Sequence, residues 1–202
     1  MTSVENDRRH SRDDVARTAL RLLDENGLPD LTMRNIANAL EVRPSALYWH
    51  FRNKQSLLAA VSGLILAPMA DVGTEGLAAR ASLELLGGRL RDCLLAYRDA
   101  AELVSSSLAL GLVEPPIVGR PGGGAPADLW RAAATAVMHF VVGYAFHEQQ
   151  RLAADSLGLL ADADGADPGA AAGDRSPADE FSEALTMIAM GFDAAVAQRA
   201  VL

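Results

Sequence analysis

The residues with the clearest chemistry in this sequence are polar and aromatic side chains in one short stretch. Arg43 and Ser45 carry hydrogen-bond donors, and Tyr48, His50 and Lys54 add aromatic rings and a cation. A helix that enters the major groove of DNA needs one packed face, donors near its N-terminus and flanking cations for phosphates. The stretch therefore predicts a DNA-reading helix. The alternative from residue types alone is an ordinary helical hairpin with exposed aromatic residues.

Three helices are predicted to hold these side chains in place. Ser11 and Asp14 fit the S-x-x-D form of a capping box at the start of the first helix, and Gly27 ends it. Leu31-Thr32 opens a second short helix, and a three-residue break precedes a third that begins at Pro44. The apolar residues predicted to face inward are Val15, Ala19, Leu22, Leu23, Ile36, Ala37, Leu40, Val42 and Leu47.

The rest of the chain is also predicted to be helical, because no stretch alternates in the manner of a β-strand. Asn53 can cap a fourth helix that Pro68 interrupts. Three long helices are predicted over 81–107, 129–154 and 179–199, which suit a helical bundle. The connecting segments 113–126 and 161–177 are predicted loops, and the order of the second is left open.

Composition and charge are compatible with a DNA-binding protein. Half of the 202 residues are hydrophobic, which is typical of a globular chain. The net charge of -8 argues against nucleic acid at first sight, yet residues 1–60 hold 9 Arg and Lys against 8 Asp and Glu. The acidity therefore lies in the second part of the chain, and a basic face near the N-terminus is compatible with it.

The cytoplasm is the predicted location. Cys93 is the only cysteine, so no intramolecular disulfide forms, and the polar N-terminus does not resemble a signal peptide. The uncharged stretch 132–146 is 15 residues long, whereas a membrane-spanning helix needs about 20 apolar residues. We therefore predict a buried core helix there and no membrane partner.

The segment from Leu31 to Lys54 strongly resembles the DNA-binding segment of the tetracycline-repressor family. The similarity rests on Thr-x-Arg-x-Ile-Ala-x-x-Leu followed by Leu-Tyr-Trp-His-Phe-x-Asn-Lys-x-x-Leu-Leu, and it extends over residues 11–65. In that family the third helix enters the major groove, the start of the second contacts the DNA backbone, and the lysine after the third contacts phosphate.

The resemblance implies a role for each matching position. Backbone or base contacts fall to Thr32, Met33 and Arg34; base-edge or methyl contacts to Arg43, Pro44, Ser45 and Ala46; and phosphate contacts to Tyr48, Trp49, His50 and Lys54. Pro44 and Ala46 offer little hydrogen bonding, so base specificity is expected from Arg43 and Ser45 together with DNA shape. Trp49 could instead be a core residue, and His50 a helix-end residue stabilised by the helix dipole.

The C-terminal part resembles the tetracycline-repressor subgroup more faintly, at 94–99 and 137–143. That subgroup has a metal-binding histidine where this chain has Val104, and His147-Glu148 replaces its acidic pair. These departures argue against a magnesium–tetracycline effector. What is expected is an apolar pocket with a few polar handles, whose candidate residues are Tyr97, Trp130, Met138, His139 and His147. For each histidine a core or surface role is the alternative, and Glu148 is expected to be solvated.

The sequence thus predicts an all-α protein with a helix-turn-helix DNA-binding domain over 1–56 and an effector-binding and dimerisation domain over 57–202. As the resemblance implies, it would be a dimeric repressor, not an enzyme, that binds palindromic double-stranded operator DNA and is released by an unknown small molecule. No cofactor or metal is implied. A helical enzyme that uses His139, His147 and Glu148 is the first alternative, and an interaction module that no longer binds DNA is the second.

Overall fold

The structure is a computed structural model, and it describes residues 10–158 and 176–200. Over those residues it is all-helical, as predicted, with no strand beyond one isolated bridge between Ala78 and Gly123. The helices are α1 Arg12–Asn26, α2 Met33–Ala39, α3 Pro44–Leu47, α4 Lys54–Leu66, α5 Ala79–Leu95, α6 Ala100–Ala109, α7 Ala127–Ser156 and α8 Pro177–Arg199, with a 3-10 helix at Ala67–Asp71.

The chain divides into two compact units. The first contains Met1–Ala70 and Cys93–Glu114, and the second contains Asp71–Asp92 and Pro115–Leu202. The division by packing therefore differs from the predicted boundary at residues 56 and 57. The predicted boundary separates a DNA-binding domain from an effector-binding and dimerisation domain, and this functional division stays a prediction.

Both ends of α1 are where the sequence places them. The Ser11 hydroxyl accepts a hydrogen bond from the Asp14 backbone N–H at 3.1 Å, and the Asp14 carboxylate accepts one from the Ser11 N–H at 2.8 Å. Gly27 ends the helix with φ at +81°, in the left-handed region that favours glycine, and its N–H donates to the Leu23 carbonyl. The predicted capping box and glycine stop are confirmed.

The helix, turn and helix that follow are also confirmed, although the third helix is short. The Thr32 hydroxyl caps α2 by accepting from the Asn35 N–H at 3.1 Å. Glu41 takes a left-handed conformation with φ at 56° in the break before α3, and Pro44 occupies the first turn of α3. The helix α3 has only four residues, and turns follow it from Tyr48 to His50.

The predicted start of α4 is confirmed at Asn53, whose side chain accepts from the Ser56 N–H at 2.8 Å. The helix ends at Leu66, and the chain continues as the 3-10 helix that contains Pro68. In the first unit α1 and α6 both pack against α4. One polar contact crosses this apolar packing: the Ser62 and Ser107 hydroxyls, both buried, lie 2.8 Å apart.

The single helix predicted over 81–107 is wrong. The structure ends α5 at Leu95 and starts α6 at Ala100, with Asp99 in a left-handed conformation at φ 54°. The physical reason is a tertiary contact, because the Asp99 carboxylate accepts a hydrogen bond from the Leu28 N–H. Nothing in the composition of residues 96–99 breaks a helix, so periodicity alone could not locate this joint.

In the second unit α7 packs against α8. Gly87 of α5 permits a close approach there, since a Cβ on it would lie 2.9 Å from Leu185 Cδ1 and 3.0 Å from Val137 Cγ1. A Ser176–Asp179 capping box begins α8. Residues 113–126 contain no helix, as predicted, and most of the predicted loop 161–177 lies outside the described residues.

By length and composition α7 could also cross a membrane. Core helices of soluble proteins meet the same criterion. Seven of its side chains, among them Trp130 and Val141, are buried, which agrees with the predicted core helix.

Candidate nucleic-acid interface and ligand cavity

The surface around α3 exposes most of the side chains that the sequence assigns to DNA. Arg43, Pro44 and Ser45 are exposed at the start of the helix. Tyr48 is 53% exposed and Trp49 is 90% exposed directly after it. The alternative that Trp49 belongs to the core is therefore wrong. Large aromatic side chains on a surface are typical of binding sites.

Ala46 is the exception in this set. Its side chain is only 6% exposed, and it lies with Leu47 on the buried face of α3. In this conformation little of the Ala46 side chain is accessible for the expected base-edge or methyl contact, which stays a prediction. The physical reason is the helical period, because Ala46 and Leu47 together form the packed side that a four-residue helix needs.

The remaining predicted residues surround α3. Thr32 and Met33 are half-buried and Arg34 is exposed at the start of α2. His50 is half-buried in the turn after α3, and Lys54 is exposed in the first turn of α4. The exposed charged side chains of this predicted set, Arg34, Arg43 and Lys54, are all cations, which suits phosphate. We call the predicted DNA-contacting residues other than Ala46 the reader surface; they are Thr32, Met33, Arg34, Arg43, Pro44, Ser45, Tyr48, Trp49, His50 and Lys54.

Phe51 lies on the buried side of the turn after α3, and the sequence analysis assigned it no role. Its side chain is fully buried, and its N–H donates to the Leu47 carbonyl at 2.9 Å. The Arg12 guanidinium lies 4.7 Å from the centre of the Phe51 ring, within cation–π range. The available signal was an aromatic residue four positions after Leu47, which was predicted to face inward.

A cavity with a volume of about 820 Å³ lies in the second unit. It is formed by the second half of α7 and the start of α8, and its lining residues are His139, Phe140, Gly143, Tyr144, His147, Glu148, Arg151, Leu152, Asp155, Pro177 and Glu180. Two of the five predicted ligand residues, His139 and His147, line it together.

The other three predicted ligand residues do not line this cavity. Trp130 is only 2% exposed, and its indole N–H donates to the Val118 carbonyl at 3.1 Å. Its ring also meets Phe192 edge-on at 6.2 Å. Met138 is buried, and Tyr97 belongs to the first unit. Trp130 thus has a satisfied core environment, which helical spacing could not distinguish from a pocket wall.

Two aromatic residues that the sequence analysis did not single out, Phe140 and Tyr144, line the cavity, and Phe181 packs against both. Phe140 stacks on Phe181 with ring centres 5.4 Å apart, and Tyr144 contacts both rings. The Tyr144 hydroxyl donates to the Pro177 carbonyl at 2.6 Å. Burial, followed by the negative charges of Glu180 and Glu148, raises the pKa of Tyr144. Tyr144 is therefore a neutral hydrogen-bonding group at physiological pH.

Glu148 is not the solvated residue that was expected. Both of its carboxylate oxygens accept hydrogen bonds from Arg91 Nη2, at 2.9 and 2.8 Å, and both side chains are mostly buried. The Arg91 guanidinium also lies 5.0 Å from the centre of the Phe181 ring. Across the described residues, no group of three or more His, Cys, Asp and Glu side chains is arranged to bind a metal ion.

Comparison with known proteins identifies the family. A family model described as bacterial regulatory proteins, tetR family, matches residues 16–61. The chain is 34% identical over 143 residues to tetracycline repressor protein class G of Vibrio anguillarum, covering 67% of each. It spans less than half the length of the tetracycline repressors of classes A, C and E of Escherichia coli that it matches.

Solved structures extend the similarity to both units. The crystal structure of Mycobacterium smegmatis BioQ is 37% identical with a TM-score of 0.79, over 92% of this chain and 98% of that one. A crystal structure of BioQ with its natural double-stranded DNA operator is 40% identical with a TM-score of 0.64, over 77% of this chain and 97% of that one. The resemblance predicted from residues 11–65 is thereby confirmed, and the chain belongs to the tetR family of bacterial regulatory proteins.

Proposed function

We propose that this protein is a transcriptional repressor that binds palindromic double-stranded operator DNA as a homodimer and is released by a small molecule. The observation that carries the proposal is the reader surface, with Trp49 and Tyr48 exposed beside three cations in the segment that matches the family. The similarity to BioQ, which was solved with its operator, supports the same reading. The proposal places the protein in the cytoplasm with the DNA.

Some side chains of the reader surface are suited to contact bases and others to contact phosphates. Arg43, at the N-cap of α3, can donate two hydrogen bonds to a guanine edge, and the Ser45 hydroxyl can donate or accept beside it. Pro44 can only contact methyl groups or sense shape. Tyr48, Trp49, His50 and Lys54 would hold the phosphates, with Thr32, Met33 and Arg34 contacting the backbone or a base from α2.

The proposed dimer uses the exposed faces of α7 and α8. Met187 is 61% exposed and Met190 is 53% exposed on α8, one turn apart, and Ala194 continues the same face. On α7 the exposed Ala132 and Ala136 also lie about one turn apart. A two-fold dimer through these apolar faces would present two copies of α3, and the symmetry of the protein would match a palindrome.

The proposed effector site is the cavity lined by His139 and His147. Its volume of about 820 Å³ lies within the range of about 300–1,000 Å³ that small-molecule sites occupy. An effector can release DNA only through a higher affinity for the released conformation than for the bound one. Family membership and the Arg91–Glu148 pair favour this reading over an enzyme built on His139, His147 and Glu148.

The test is selection of bound duplexes from a random DNA library, followed by titration of the best site at two salt concentrations. We expect a palindromic site, and we expect Arg43→Ala to cost about 1–3 kcal/mol and to relax specificity at one position. Lys54→Ala should weaken all sites equally and lower the salt slope by about 1. Arg131→Ala, an exposed cation on α7, is the matched control and should bind as the wild type does.

Two results would contradict the proposal. One is a library that yields no enriched duplex at low salt. The other is an enriched duplex whose affinity is the same for wild type, Arg43→Ala and Lys54→Ala.

A further inference from the structure

The turn between α1 and α2 is held by residues that lie far away in the sequence. The Asp99 carboxylate accepts a hydrogen bond from the Leu28 backbone N–H, with an N···O distance of 2.8 Å. Beside it, the Arg98 backbone N–H donates to the Asp24 carboxylate at 3.1 Å. Both bonds lie within the first unit, and they fasten the end of α1 to the junction between α5 and α6.

Gly27 makes room for the Asp99 carboxylate. A Cβ at this position would lie 2.7 Å from Asp99 Oδ2, closer than real Cβ contacts come. The φ of +81° at Gly27 already favours glycine. Glycine is thus required here for the close approach of the carboxylate as well as for the end of α1.

Asp99 is also placed against its own local preferences. It is the N-cap residue of α6, where an aspartate ordinarily accepts a hydrogen bond from the first turn of its own helix, yet it makes no such bond. Its φ of 54° is in the left-handed region, which costs free energy for a residue other than glycine. The bond to Leu28 is the contact that compensates for both.

We propose that Asp99 is a positioning residue for DNA reading, an inference that rests on the proposed operator binding. The Leu28 N–H lies in the turn that leads into α2, and α2 packs against α3. The carboxylate therefore sets how α2 and α3 are presented relative to α6. Without this bond the reader surface samples more orientations, and operator binding must order it.

The test compares Asp99→Asn with Asp99→Gly. Both residues tolerate the left-handed backbone, but only asparagine keeps an acceptor oxygen for Leu28. Operator affinity is measured with the duplex selected from the random library, at a temperature at which circular dichroism shows every variant fully folded, so that a loss of global stability cannot weaken binding. Exchange of the Leu28 amide hydrogen is followed by NMR in the same samples.

We expect the dissociation constant of Asp99→Gly to rise about fivefold or more, the equivalent of one net hydrogen bond. Asp99→Asn should stay within about twofold of the wild type, because it retains the acceptor. The Leu28 amide should exchange faster in Asp99→Gly alone. If Asp99→Gly does not fold, Asp99→Ser replaces it, since the serine side chain is too short to reach the Leu28 N–H.

Wild-type affinity in Asp99→Gly together with fast Leu28 exchange would overturn the inference and leave the proposed function standing. A Leu28 amide that is unprotected in the wild type would overturn it as well. A wild-type protein that selects no DNA would overturn the proposed function, and this inference with it.

Discussion

The buried pair Ser62 and Ser107 allows a quantitative test of how α4 is joined to α6. The two hydroxyl oxygens lie 2.8 Å apart, and the residues are 0% and 2% exposed. Changing either serine to alanine leaves the other hydroxyl buried without this partner, which costs about 1–3 kcal/mol. A helical serine can turn toward the carbonyl four residues earlier, so we expect the lower end, about 1 kcal/mol, for each single variant.

The double variant Ser62→Ala/Ser107→Ala should be close to neutral. It removes both polar groups together, and replacing both partners of a buried hydrogen bond by apolar groups changes the free energy of unfolding little. The loss in the double variant should therefore be well below the total of the two single losses, with a coupling energy of about 1–2 kcal/mol between the sites.

Urea unfolding followed by circular dichroism measures these free energies. Ser182→Ala is the matched control, because Ser182 is an exposed helical serine that donates to the Ala178 carbonyl. It should change the free energy of unfolding by less than about 0.5 kcal/mol. Two single losses that simply add in the double variant would refute the reasoning, since they would show that the hydroxyls do not depend on each other.

Two further predictions concern α3 and α1. Ala46→Asp should destabilise the protein by about 2 kcal/mol or more, because it buries an unpaired polar group. Ser45→Asp, on the exposed side of α3, should weaken DNA binding and leave the free energy of unfolding almost unchanged. Equal effects of the two variants on stability would contradict the burial of Ala46. The hydrogen bonds from Ser11 lower the pKa of Asp14 below its ordinary value of 3.8. A carboxyl group with a lowered pKa stabilises the folded state above its unfolded pKa and loses this effect as pH falls through the folded value. Acid titration of wild type and Asp14→Asn should therefore show a difference in stability at neutral pH that disappears below pH 3.8, and a constant difference would count against the capping box.

Local rules predicted the elements that hold the reader surface. Three of the helices there begin at a capping side chain, Ser11, Thr32 or Asn53, and the structure has each of these caps. The outward positions of Tyr48 and Trp49 followed from the resemblance. Ala46 did not, because a small residue in a four-residue helix can face either way, and only the packing around Leu47 decides.

The cavity was harder to predict because helical periodicity does not distinguish a side chain that packs in the core from one that lines a cavity. His139 and His147 lie eight residues apart, about two turns, and so share a face of α7. Phe140 and Tyr144 lie beside them, but an aromatic residue in a helical stripe gives the same signal whether it packs or lines a pocket. Trp130 shows the ambiguity, since the same signal there came from a residue hydrogen-bonded in the core.

The joint at Asp99 explains why the compact units do not follow the order of the chain. Residues 96–99 leave the helical path, and α6 then packs on α4 in the first unit, which also contains α2 and α3. The helix α5, by contrast, begins in the second unit and ends in the first. Asp99 follows the end of α5 and accepts the hydrogen bond from the Leu28 N–H, so the residue at which the predicted single helix breaks is also the one that holds the turn before α2.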